Sequence, residues 1–204
     1  NGIPTLYVNI GSTSTFANRP ASVANALRAV NIGSVTVSWS ANGNPPNSSS
    51  VNVTTYTVTL STVSTLFFGG VTAASAVTVY STQPAGAAVD GLAPATLYYA
   101  YVSARNHNGV GSAFAPLGST ATLAAAPAAA AEPFAAVAAT MAVVTWGVNG
   151  NPADTRYVTF FSTISSVSAG AGGSSRDVVL STTSPATVTA TVVMFGLSPT
   201  TTYF

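Results

Sequence analysis

One pattern occurs twice in this chain, at a spacing of 107 residues. Ser34-Val-Thr-Val-Ser-Trp39 runs into Asn42-Gly43-Asn44-Pro45, and Met141-Ala-Val-Val-Thr-Trp146 runs into Asn149-Gly150-Asn151-Pro152. A further pair keeps nearly the same interval: Leu92-Ala-Pro94-Ala-Thr96-Leu-Tyr98 returns as Leu197-Ser-Pro199-Thr-Thr201-Thr-Tyr203, 105 positions on. Equal motifs joined by loops of unequal length are what a duplicated domain leaves behind. The opening residues join the pattern, because Asn1 to Pro20 aligns without gaps to Asn108 to Pro127. Gly11-Ser-Thr-Ser-Thr-Phe16 then falls on Gly118-Ser-Thr-Ala-Thr-Leu123, again at 107.

That register predicts three segments. Residues 1–17 are expected to be a closing strand (G) belonging to a preceding or neighbouring domain, and 18–124 one complete domain. Residues 125–204 are expected to be a domain lacking most of strand F and strand G, since Phe204 corresponds to Tyr99 and Ala100 to His107 have no counterpart.

Period-two alternation marks the strands. Val35, Val37 and Trp39 share one face and Ser34, Thr36 and Ser38 the other; Tyr56, Val58 and Leu60 alternate with Thr57, Thr59 and Ser61. Tyr98, Ala100, Val102 and Ala104 alternate with Tyr99, Tyr101, Ser103 and Arg105, and Pro, Gly and Asn clusters separate the runs. The Ala-rich stretch from Ala124 to Ala139 holds Pro127 and Pro133 and aligns with Ala17 to Ala29, which predicts a linker and a first strand instead of a helix.

These residues resemble the fibronectin type III family. The resemblance rests on Trp39 and Trp146 on strand B, Tyr56 and Tyr157 on strand C, and the two Leu-x-Pro-x-Thr-x-Tyr corners that open strand F. Val102, Ala104, Asn106, Gly109, Gly111 and Ser112 continue it through strand F and the F–G turn. The resemblance implies an all-β chain of tandem two-sheet sandwiches, with A, B and E facing C, C′, F and G, and the second sandwich incomplete within this chain. It also implies that the motif Trp and Tyr residues serve packing and a corner hydrogen bond.

Composition removes most chemistry. Of 204 residues 48% are hydrophobic and 4% charged; there is no Cys, and formal net charge is +1. All five cations are Arg, so Schiff-base chemistry, a Walker A loop and a Lys-to-Asn crosslink are excluded, as are disulfides and thiolate ligands. Scattered cations exclude an electrostatic grip on nucleic acid. The most apolar stretch, Ala124 to Val144, is broken by Pro127, Glu132 and Pro133, so no membrane span is expected.

The reactive side chains stand apart. His107 lies in the expected F–G turn with no acidic residue near it in sequence, and Asp90, Glu132, Asp154 and Asp177 occur singly. No catalytic, cofactor-binding or metal-binding residue is expected, no cofactor, and no enzyme. Ser175-Arg176-Asp177 lacks the Gly of integrin-binding tripeptides. Asn47 and Asn52 begin sequons, making them candidate glycosylation sites and glycans candidate partners.

The sharpest expectation comes from comparing outer faces. Where the first domain points Thr57 and Thr59 outward, the second has Val158 and Phe160; where the first shows Ser34 and Thr36, the second shows Met141 and Val143. Met141, Val143, Val158 and Phe160, with Leu6, Val8 and Ile10 of the opening strand, are therefore candidate assembly contacts. The function expected is a structural repeat of an extracellular or cell-surface filament whose partners are copies of itself. Its units would join as one covalent array or by donated strands. The alternative is an adhesin stalk or an accessory binding module of a secreted carbohydrate-active protein.

Overall fold

The computed structural model describes residues 8–11, 13–45, 54–65, 76–81, 86–153, 155–159, 161, 163, 178–180 and 189–204. They contain no helix, and every pairing is antiparallel. The chain forms two compact units: Asn1–Val30, Ser34–Gly91 and Leu97–Thr120 in one, and Asn31–Gly33, Leu92–Thr96 and Ala121–Phe204 in the other.

In the first unit, β1 (Leu27–Arg28), β2 (Ser34–Val37) and β5 (Ala87–Asp90) form one sheet in the order β1-β2-β5. β3 (Thr55–Ser61), β4 (Ala76–Ser81), β6 (Leu97–Arg105) and β7 (Ala115–Ala121) form a second in the order β4-β3-β6-β7. This is the A-B-E and C′-C-F-G division that the resemblance implied. The alternation explains which face is inside: Val35 and Val37 are fully buried, as are Val58, Leu60, Val89 and Val102. A methyl-rich, β-branched face on each sheet loses least by packing against its like, and the two sheets close over it. Trp39 packs on Tyr56 with ring centroids 5.3 Å apart, within the range for favourable aromatic pairs.

The second unit repeats this plan. β8 (Ala128–Val137), β9 (Met141–Gly147) and β12 (Thr189–Phe195) form a sheet in the order β12-β9-β8, and β10 (Tyr157–Thr159) pairs with β11 (Val178–Leu180). Among the described residues it has counterparts of β1 to β5 and none of β6 or β7. Its core gathers Ala142, Trp146, Tyr157, Phe161, Ala190, Val192 and Met194. Trp146 meets Tyr157 at 5.7 Å between centroids, as Trp39 meets Tyr56. The Ala-rich stretch is a strand from Ala128 and not a helix; register shifts on either side of Phe134 mark where Pro133 interrupts its pairing with β9.

One expectation needs correction. Thr57 and Thr59 do lie on the face of β3 opposite Val58 and Leu60, yet they are 8% and 2% exposed, so they do not coat the surface. Both lie on an inner strand of their sheet, flanked by β4 and β6. Tyr101, the register partner of Thr59, is buried on the neighbouring strand and donates its hydroxyl to the Ser64 carbonyl.

Candidate assembly surface

The Asn-Gly-Asn-Pro motif does more than turn the chain. Asn42 and Gly43 have φ of 51° and 79°, Asn149 and Gly150 of 52° and 78°, and the N–H of Asn44 and Asn151 returns to the carbonyl of Ala41 and Val148. Two successive left-handed residues closed by that bond make a type I′ turn, which Asn and Gly enter at least cost. The turn aims the second Asn at the chain that leads into each sandwich. Asn44 Oδ1 accepts from Asn18 N–H at 2.7 Å and its Nδ2 donates to Asn18 O at 2.8 Å. Asn151 does the same to Ala125, at 2.8 Å in both directions. Asn42 and Asn149 add a bond each, to the carbonyls of Arg19 and Ala126. Asn151 also donates to the Tyr157 hydroxyl, which donates to the Val148 carbonyl.

The Leu-x-Pro-x-Thr-x-Tyr corners repeat as closely. Leu92 and Leu197 donate to the carbonyls of Gly33 and Thr140, and Ala95 and Thr200 both adopt positive φ, 47° and 54°. In the second corner the Tyr203 hydroxyl accepts from Ser198 N–H at 3.0 Å.

Register then fixes which residues look outward from β9. Ala142 and Trp146 face the core with Ala190 and Met194 of β12, so Met141 and Val143 lie on the opposite face. There Met141 stands across from Phe195, and Val143 across from Val193. The equivalent pairs in the first unit are Ser34 with Asp90 and Thr36 with Ala88. Both members of the outermost pair have changed from polar to apolar. Phe195 is 61% exposed and Val193 40%, while Met141 and Val143 are half-buried. Val193 and Phe195 were missed in the sequence because β12 carries no motif of its own. The Leu197 corner fixes its register, and counting back from Leu92 and Leu197 pairs Asp90 with Phe195.

The other candidate contacts are scattered. Val8 and Ile10 are 79% and 96% exposed. Val158 lies on β10 without a described side chain, and Leu6, Phe160, Asn47 and Asn52 lie outside the described residues. His107 is exposed in a turn beside Asn106 and Asn108, and Asp90 is exposed on β5. Among the described residues no three His, Cys, Asp or Glu side chains come together in a way that could hold a metal. No helix among them is long and apolar enough to cross a membrane.

Comparison with known proteins gives the same architecture. Residues 22–119 match the fibronectin type III domain family. No curated protein matches in sequence. Among solved structures, a two fibronectin type-III domain segment from chicken tenascin is similar at 14% identity, covering 91% of this chain and 87% of that one, with a TM-score of 0.53. The FN1–FN3 domains of chicken CNTN1 are 20% identical over 90% of this chain and 57% of that one, with a TM-score of 0.28. The first of these likenesses extends over both units. The chain thus carries a fibronectin type III domain, formed by residues 22–119.

Proposed function

We propose that this chain is a non-catalytic repeat unit of an extracellular or cell-surface filament, assembled head to tail from β-sandwiches that contact copies of themselves. Fibronectin type III domains are generally non-catalytic structural or adhesion modules, which supports the broad class. The observation that carries the filament reading is the exchange of Ser34–Asp90 for Met141–Phe195 on the same face of the same sheet. A sheet face in water gains nothing from an exposed Phe, whereas a face buried against another molecule gains the transfer free energy of each apolar group, about 25 cal/mol per Å². The charge content supports the same reading. With net charge +1 and 4% charged residues, little repulsion opposes close approach of copies.

Negative-stain imaging and sedimentation of the purified full chain test the proposal. Filaments or concentration-dependent association are expected. A monodisperse, 20.3 kDa species at every concentration would remove it.

A further inference from the structure

We infer that Thr122–Ala126, the stretch between β7 and β8, is a clamp and not a flexible linker: it ties the Leu92–Thr96 corner to the Asn149–Asn151 turn, so that the two open together. The inference goes beyond the filament reading and stands whether or not copies associate.

The stretch runs Thr-Leu-Ala-Ala-Ala into Pro127, so it offers little except backbone to hold. The corner holds its beginning. Thr122 N–H donates to the Thr96 carbonyl at 3.0 Å, and Thr122 Oγ1 accepts from Thr96 N–H at 3.0 Å while donating to the Ala93 carbonyl at 2.7 Å. The next residue, Leu123, donates to the Asn31 carbonyl and accepts from Ala95 N–H. Thr122 is 4% exposed, so a bond broken there would leave buried polar groups without water.

The turn holds the end. Ala125 is bonded at both its N–H and its carbonyl by Asn151, and the Ala126 carbonyl accepts from Asn149 Nδ2 at 2.8 Å. Between the two holds stands Ala124, the one residue of the five with no such bond among the described residues. A linker is flexible because its dihedral angles are free, and here nearly all of that freedom is already given up. The grip is on peptide groups, which is why Ala125 and Asn18, with unlike side chains, are held alike.

Corner and turn also meet directly, since a Cβ on Gly150 would stand 3.7 Å from Pro94 Cγ. Corner, stretch and turn therefore close a ring. All of it belongs to one compact unit: Asn31–Gly33 and Leu92–Thr96 group with Ala121–Phe204, although the strands on either side of them belong to the other unit. In a closed ring of holds, loosening one point removes the support of the others, and the element opens cooperatively.

Residue-resolved hydrogen exchange of the full chain tests this. In the parent, the amides of Thr122, Leu123 and Ala125 are expected to share similar protection, about 100-fold or more above that of Ala124. Asn151→Ala removes bonds only on the turn's side, yet is expected to speed exchange at Thr122 and Leu123 about 10-fold along with Ala125. Thr122→Val removes only the corner's side-chain bonds and is expected to speed Ala125 by a similar factor, because coupling between two holds is reciprocal. Asn149→Gly keeps the left-handed turn and gives up the bond to Ala126. It is expected to move Thr122 and Leu123 in the same direction, and it serves should Asn151→Ala fail to fold. Retained protection in β3 and β6 shows that the first sandwich stays folded throughout. Variants that speed exchange only on their own side of Ala124 overturn the inference, as does a parent in which Thr122, Leu123 and Ala125 exchange as fast as Ala124.

Discussion

Asn151 grips the backbone of Ala125 at both ends, accepting its N–H on Oδ1 and donating Nδ2 to its carbonyl, each at 2.8 Å. A side-chain amide here takes the place of a neighbouring strand's peptide group. The same hold joins Asn44 to Asn18, so the chain that leads into each sandwich is held in the same way. Both Asn side chains are buried, at 6% and 7% exposure, so water cannot replace a lost bond.

Asn151→Ala is therefore expected to destabilise the second sandwich by about 2 kcal/mol or more, because the two backbone groups of Ala125 lose their partners in a half-buried place. Asn151→Asp is expected to cost more still, since a carboxylate oxygen would face the Ala125 carbonyl. Urea unfolding midpoints of the two variants measure both.

Ala95 and Thr200 hold positive φ at matching corners, a region costly for any residue with a Cβ. Ala95→Gly is expected to relieve about 1 kcal/mol of strain, offset in part by the added freedom of the unfolded chain. The net change is a gain of a few tenths of a kcal/mol, read as a small rise in thermal midpoint. A loss on that substitution would show that the corner is not strained.

Copying the first sandwich's surface pair onto the second tests the assembly face. Met141→Ser with Phe195→Asp restores the chemistry of Ser34 and Asp90 at the same register positions. Self-association is expected to weaken roughly 10- to 100-fold, the usual consequence of removing a central apolar anchor. Neither side chain belongs to the buried core, so the unfolding midpoint should move little.

Alkaline pH should unfold the first sandwich through its buried phenols. Burial raises the pKa of Tyr56, with its hydrogen bond to Asn44 pulling the other way, and Tyr101 is raised by burial and by the nearby Tyr99. A group whose folded pKa is raised stabilises fully below its unfolded value, near 10 for Tyr. That contribution disappears as pH climbs through the folded value. Stability is thus expected to fall above about pH 10, and less steeply in Tyr56→Phe. An unchanged alkaline profile in that variant would exclude Tyr56 as a source.

The duplication, the strand alternation and the two aromatic pairs were all legible in the sequence, because each depends on a local periodicity or on a motif that the chain itself repeats. The sandwich division was implied by the family resemblance that the motifs carry, and the outward placement of Met141 and Val143 was set by alternation along a single strand. Other features belonged to tertiary structure. The second Asn of each Asn-Gly-Asn-Pro read only as part of a turn, since its partner lies 26 residues away along the chain. Val193 and Phe195 became visible as a surface only when antiparallel pairing set them against Val143 and Met141. The burial of Thr57 and Thr59 depended on the two strands that flank theirs, β4 and β6. Alternation settles which way a side chain points; what it meets there is decided by segments distant in sequence, and only folding brings those together.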